Sequence, residues 1–143
     1  MKKILPFLMM IVVAIIALSG CRQSNTIPTT LQIKIIGKWT MKTSTTSTSG
    51  TVSGNTSATY TANDYYDFKA DGTIKIMDTG VAHNGTWTIN NNSKLIISGT
   101  GANYLDSFSA GFDLPVLTAN NLQMTNVSTL NGVTTTFTLN LAR

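Results

Sequence analysis

Two hydrophobic patterns divide the chain. Residues 4–18 are apolar apart from Pro6, without periodicity, directly behind Lys2 and Lys3. From residue 35 onward, apolar residues come in short runs that alternate with Thr, Ser, Asn and Lys and are separated by Gly, Asn and Asp. Alternation of period two marks a strand with one buried and one wetted face, because successive side chains point to opposite sides of a sheet. It predicts eight strands, over residues 36–43, 59–69, 73–78, 85–90, 94–98, 111–118, 122–128 and 133–141. Trp39 and Met41 oppose Lys38 and Thr40, Tyr66 and Phe68 oppose Tyr65 and Asp67, and Ile74 and Ile76 oppose Lys75. Trp87 and Ile89 oppose Thr86 and Thr88, while Phe137, Leu139 and Leu141 oppose Thr136, Thr138 and Asn140. Asp71-Gly72 and Asn131-Gly132 predict type I′ hairpin turns, which need two residues tolerant of positive φ. Asn90-Asn91-Asn92 and Ala119-Asn120-Asn121 supply further turns.

Connections this short make sequential strands antiparallel partners. The simplest all-β architecture is an eight-stranded antiparallel up-and-down barrel over residues 35–143, with a β-sandwich as the alternative; closure into a barrel removes the exposed edges of an open sheet. Its inward set is Trp39, Met41, Tyr66, Phe68, Ile74, Ile76, Trp87, Ile89, Leu122, Met124, Phe137 and Leu139. A barrel of this size is either filled by such side chains or leaves room for one small ligand, which with this lining would be apolar. Two segments break the pattern. Residues 43–61, mostly Thr, Ser and Gly, form either a long loop or a polar hairpin extending two strands past the barrel. Residues 99–110 form a loop whose Tyr104, Leu105 and Phe108 either plug one end of the barrel or act as a lid or partner contact.

The apolar run at 4–18 is too short to span a bilayer comfortably, and with the lysines before it and Leu18-Ser19-Gly20 after it reads as a signal peptide over residues 1–20. Leu18-Ser19-Gly20-Cys21 resembles the lipobox of bacterial lipoproteins. That resemblance implies acylation of Cys21, cleavage before it, and anchoring to a membrane by acyl chains, with residues 21–34 as lipidated cysteine and flexible tether. Arg22, rather than Asp, is the choice that in lipoproteins similar to this one favours the outer membrane, facing either periplasm or exterior.

Setting the leader aside lowers the hydrophobic fraction from 42% to about 37% and removes two of the lysines behind a formal net charge of +4. The remaining charge is too small for a nucleic-acid binder. Cys21 is the sole cysteine, so the domain beyond it holds no thiol for a disulfide, a metal site or a nucleophile. His83 is the only imidazole, placed by the pattern in a turn over 79–84, and all acidic residues are Asp. One His without a thiol falls short of a zinc site. Asp64, Asp67, Asp71, Asp78, Asp106 and Asp113 are spread over turns, strand ends and outer faces rather than paired for glycoside hydrolysis. No phosphate loop, dinucleotide fingerprint or calcium-loop motif is present. A non-enzymatic protein without metal or cofactor is expected, and a monomer.

Gly37-Lys38-Trp39, the stretch from Tyr66 to Thr73, Gly85-Thr86-Trp87-Thr88-Ile89 and Leu117-Thr118-Ala119-Asn120-Asn121-Leu122 together resemble the lipocalin-like domains of bacterial lipoproteins. The resemblance covers nearly all of residues 35–142. It implies that Trp39 packs across the closed end of the barrel, that Gly37 lets the chain pass tightly there, and that Arg143 is the candidate to stack on Trp39. The C-terminal helix of full-length lipocalins is missing, as in the shortened bacterial form. The function it implies is the binding of a small hydrophobic ligand in the interior, with Trp39, Met41, Tyr66, Phe68, Trp87, Met124 and Phe137 as lining. The alternative is a non-catalytic structural or interaction module of the cell envelope contacting protein or polysaccharide.

Overall fold

The computed structural model describes residues 30–101, 105, 108 and 110–143. A short helix, α1 (Thr30–Ile35), precedes nine strands: β1 (Gly37–Ser49), β2 (Gly54–Thr59), β3 (Tyr65–Phe68), β4 (Thr73–Asp78), β5 (Val81–Ile89), β6 (Leu95–Ser98), β7 (Asp113–Leu117), β8 (Asn121–Leu130) and β9 (Val133–Ala142). All pairings are antiparallel, in the order β6-β5-β4-β3-β1-β9-β8-β7, with β2 attached to β1 alone. Leu95 and the residue before β7, Phe112, exchange backbone hydrogen bonds of 2.9 and 2.8 Å, joining the two ends of that order. The fold is therefore the expected up-and-down barrel of eight strands in one nearly closed sheet, and not a sandwich.

The seam between β6 and β7 is narrow for a local reason. Pro115 has no N–H to give a ladder, and the register of β7 against β8 shifts between Asp113 and Val116, around it. Gly111 (φ 77°) brings the chain in so closely that a Cβ there would stand 2.4 Å from Ile96 Cδ1. An exposed ion pair, Lys94 Nζ to Asp113 Oδ2 at 3.0 Å, spans the same seam.

The segment at 43–61 is a hairpin. β1 runs on through Ser49 and pairs with β2 on one side, Thr43↔Thr59 to Thr48↔Gly54, and with β9 on the other. With the distal halves of β8 and β9 these strands make a four-stranded arm projecting past the barrel. Hydroxyl and amide side chains bond across the strands: at the base of the arm Asn140 Nδ2 donates to Thr43 Oγ1 (3.0 Å) and Gln123 Nε2 to Asn140 Oδ1 (2.8 Å), and further out the Thr129 and Thr134 hydroxyls lie 3.0 Å apart.

Several boundaries differ from the pattern. The strand expected at 59–69 is broken: after Thr59 the chain bulges through residues 60–64 and re-enters the ladder at Tyr65. Asp64 folds the bulge, accepting the Thr61 N–H and hydroxyl on Oδ2, both at 2.8 Å, and the Thr79 N–H on Oδ1 at 2.8 Å. β5 begins at Val81 rather than Gly85, because Thr79 (φ 48°) and Gly80 (φ 84°) make the tight turn, which puts His83 in a strand and not in a turn. Asn131 and Gly132 both have positive φ, as a type I′ turn requires. At Asp71-Gly72 only Gly72 does; Gly72 N–H returns to the Lys69 carbonyl while Asp71 Oδ1 accepts from the Thr73 N–H and hydroxyl. Residues 30–34, expected within the tether, belong to α1.

The core is the predicted inward set with additions. Trp39, Met41, Tyr66, Phe68, Ile74, Ile76, Trp87, Leu122, Met124 and Leu139 are buried, and Ile89 and Phe137 are half-buried against them. Ile35, Leu95, Ile97, Leu105, Phe112 and Leu141 join them. Among the described residues no buried side-chain nitrogen or oxygen lacks a hydrogen-bond partner.

Candidate functional site at the barrel interior and mouth

The up-and-down course gives the barrel two unlike ends. Three short turns (69–72, 90–94 and 118–120), α1 and Arg143 gather at one; the arm, the 79–80 turn and the long β6–β7 connection gather at the other.

At the first end α1 lies across the opening with Ile35 wholly buried. A helix C-terminus leaves carbonyls without intrahelical partners and carries partial negative charge. Here Trp39 Nε1 donates to the Ile35 carbonyl at 2.7 Å, and Arg143 donates through one guanidinium nitrogen to the carbonyls of Lys34 (3.4 Å) and Ile36. The same guanidinium lies over the Trp39 ring, 3.9 Å from its centroid. Gly37 (φ 119°) makes room for it, since a Cβ there would meet the Arg143 nitrogen at 3.0 Å. Trp39, Gly37 and Arg143 thus stand in the relation expected of them. This end is closed.

The interior above it is occupied by rings in contact. Phe68 meets Trp87 edge-on at 5.4 Å and Tyr66 at 6.2 Å, and Trp87 Nε1 donates to the Lys69 carbonyl at 2.9 Å. Of the expected ligand-lining residues, Trp39, Met41, Tyr66, Phe68 and Met124 are fully buried among neighbouring side chains, and Trp87 is 7% exposed.

Phe137 stands apart from them, at the mouth. Its ring packs at 5.0 Å on Phe108 and 6.4 Å from Phe112, which themselves lie 5.1 Å apart. Phe108 and Leu105 belong to the loop expected either as plug or as lid, and Leu105 is buried, so these two residues plug the mouth. Tyr104 lies outside the described residues. Asn126, buried on β8, holds the loop by donating Nδ2 to the Gly111 carbonyl at 2.7 Å. Phe108 and Phe137 are half-buried, whereas Trp39 and Ile35 at the closed end are fully buried. Phe112 and Leu105 were not in the expected lining; Phe112 falls in the strand expected over 111–118, and Leu105 was marked only by its apolar character inside a polar loop.

Polar groups near the mouth are engaged with one another. Ser44 and Tyr60 hydroxyls are 2.9 Å apart, and His83 Nδ1 lies 3.2 Å from the Thr100 carbonyl. Three donors to one carboxyl, chiefly the Thr61 N–H and hydroxyl and then the Thr79 N–H, hold Asp64 below its ordinary pKa against the opposing effect of burial. Asp71 is lowered likewise by the Thr73 hydroxyl and N–H. Among the described residues no three His, Cys, Asp or Glu side chains gather as metal ligands. Cys21 lies outside the described residues.

No family model, curated protein or solved structure matches the chain.

Proposed function

We propose that the chain is a lipid-anchored protein of the cell envelope, held at the outer membrane by acyl chains on Cys21, whose lipocalin-like barrel takes a small apolar ligand at its mouth. The observation that supports the ligand is the contrast between the ends. Trp39, Tyr66 and Phe68 are fully buried, whereas Phe108 and Phe137 are only partly buried beside a loop pinned by Asn126. A ligand fits the mouth by replacing the Phe108 contact, without displacing the deep core. The protein acts by binding and not by catalysis: Asp64 is committed to folding its bulge, and the His83 ring is engaged with the Thr100 carbonyl beyond β6.

Native mass spectrometry of the mature protein from its own host, together with fluorescence of N-phenylnaphthylamine, tests the reading. A co-purifying small molecule and saturable probe binding weakened in Phe137→Ser are expected. Protein free of adducts that leaves the probe dark overturns it. The second reading, an interaction module, is supported by the arm, whose β2 is exposed along its whole length and whose Val52, Val127 and Leu130 are exposed apolar residues.

A further inference from the structure

We propose that the outer edge of β2 pairs with the β2 edge of a second copy of this chain, joining two arms into one continuous antiparallel sheet. The inference rests on the interaction-module reading and names its partner.

The pairing of β1 with β2 decides which backbone groups are free. Tyr60 N–H donates to the Lys42 carbonyl, so residues 60 and 42 are a hydrogen-bonded pair; in an antiparallel ladder such pairs recur at every second residue. Ala58, Thr56 and Gly54 therefore exchange their bonds with Ser44, Thr46 and Thr48. Asn55, Ser57 and Thr59 turn their N–H and C=O groups to the opposite edge, where no strand among the described residues pairs with them. All six residues of β2 are exposed.

A strand edge of this kind is a template for further pairing, and proteins that avoid it place Lys, Pro, a bulge or a covering loop there. From Gly54 to Thr59 the sequence is Gly-Asn-Thr-Ser-Ala-Thr, with no charge and no proline. The pairing with β1 is unbroken in register along its length.

Composition favours a second copy. About a two-fold axis residue i of one β2 faces residue j of the other and j faces i, and the six residues of β2 carry no charge, so no edge residue of the pair meets a like charge. Moreover, β2 already pairs with a strand of the same composition, the Thr and Ser run from Thr43 to Thr48, and its twin offers that chemistry again. The arm leaves the barrel at the end opposite α1, so the joint sheet forms away from the anchor side of each domain. A dimer replaces the monomer expected from the sequence.

The test uses the full chain from its own host in detergent, with mass measured by sedimentation, and a photocrosslinking residue at position 57 in intact cells. Twice the monomer mass, crosslinking of the chain to itself, and a halved mass in Ser57→Pro are expected. Position 57 donates nothing to β1, so proline there spares the arm; Ser57→Lys serves if the proline variant fails to fold, and should give the same halved mass. A monomer at every concentration, or a dimer unchanged by both variants, overturns the proposal. Crosslinking to a different protein overturns the second copy while leaving the interaction module standing; crosslinking to nothing overturns both.

Discussion

The Arg143 guanidinium lies 3.9 Å from the centroid of the Trp39 ring, and both side chains donate to carbonyls at the C-terminal end of α1. One cation thus stacks on an aromatic face and neutralises a helix end at once. Arg143→Ala should lower stability by about 1–3 kcal/mol, from the stacking together with the lost charged hydrogen bonds. Arg143→Lys should recover less than half, because an ammonium lacks the plane that stacks while reaching two carbonyls. Thermal unfolding checks the order wild type, Lys, Ala.

Asp64 makes stability depend on acid. Its folded pKa lies below the ordinary 3.8, so its contribution is complete above that value and is lost as pH falls through the lowered one. Asp71 adds to the same limb, its pKa lowered first by the Thr73 hydroxyl. Asp64→Asn, which turns one acceptor oxygen into a donor facing N–H groups, should reduce stability at neutral pH and flatten the acid limb below about pH 4. Denaturant midpoints from pH 7 to pH 2.5 would show it. An acid limb as steep as in wild type would exclude Asp64 as its source.

Asn126 is the pin of the mouth loop. Replacing it by Leu leaves the buried Gly111 carbonyl without its donor, at about 1–3 kcal/mol. The loss should be local: amide exchange at Phe108, Gly111 and Phe112 accelerates while β3 and β4 keep their protection.

The barrel was legible in the chain because alternation and turn chemistry agree with one another. Trp39, Tyr66, Phe68, Ile74 and Ile76 face inward as their spacing requires, and Asn131-Gly132 turns as its composition requires. The pattern failed where polar side chains do structural work. Asp64 cuts one expected strand in two by bonding Thr61 and Thr79, contacts that no periodicity records. Thr79 takes a positive φ that a β-branched residue rarely adopts, so the turn before His83 was hidden. The Thr and Ser run after Met41 left loop and hairpin equally open, since Thr favours strand and Gly favours turn; pairing with β9 settled it as a strand. At the mouth, Leu105 lies in a loop, where burial follows from tertiary closure alone, and Phe112 is buried where its bridge to Leu95 closes the sheet.

Cys21 carries the envelope reading, and its chemistry is testable without reference to the barrel. On the proposed anchor, Cys21→Ser should abolish incorporation of an alkyne-labelled palmitate and release the chain from the membrane fraction, since two or three acyl chains give stable attachment where one would be marginal. The barrel should keep its fold, because its core, among the described residues, is built from Ile35 to Leu141. Labelling that survives the substitution would refute the lipid anchor.

Phe137 separates a binding mouth from a merely structural plug. Its ring is half-buried and contacts two other rings, so Phe137→Ala should cost about 1.5 kcal/mol, well short of a fully buried phenylalanine. If the mouth takes an apolar ligand, the same substitution weakens N-phenylnaphthylamine binding about tenfold, since some 1.4 kcal/mol of ring contact is lost. Phe68→Leu makes the comparison sharp. It perturbs a deeper ring, fully buried beside Trp87, and should lower stability while leaving the probe's affinity within about twofold, a factor worth under 0.5 kcal/mol. Equal loss of affinity in both variants would place the probe in the deep interior, and unchanged affinity in both would place it on neither surface.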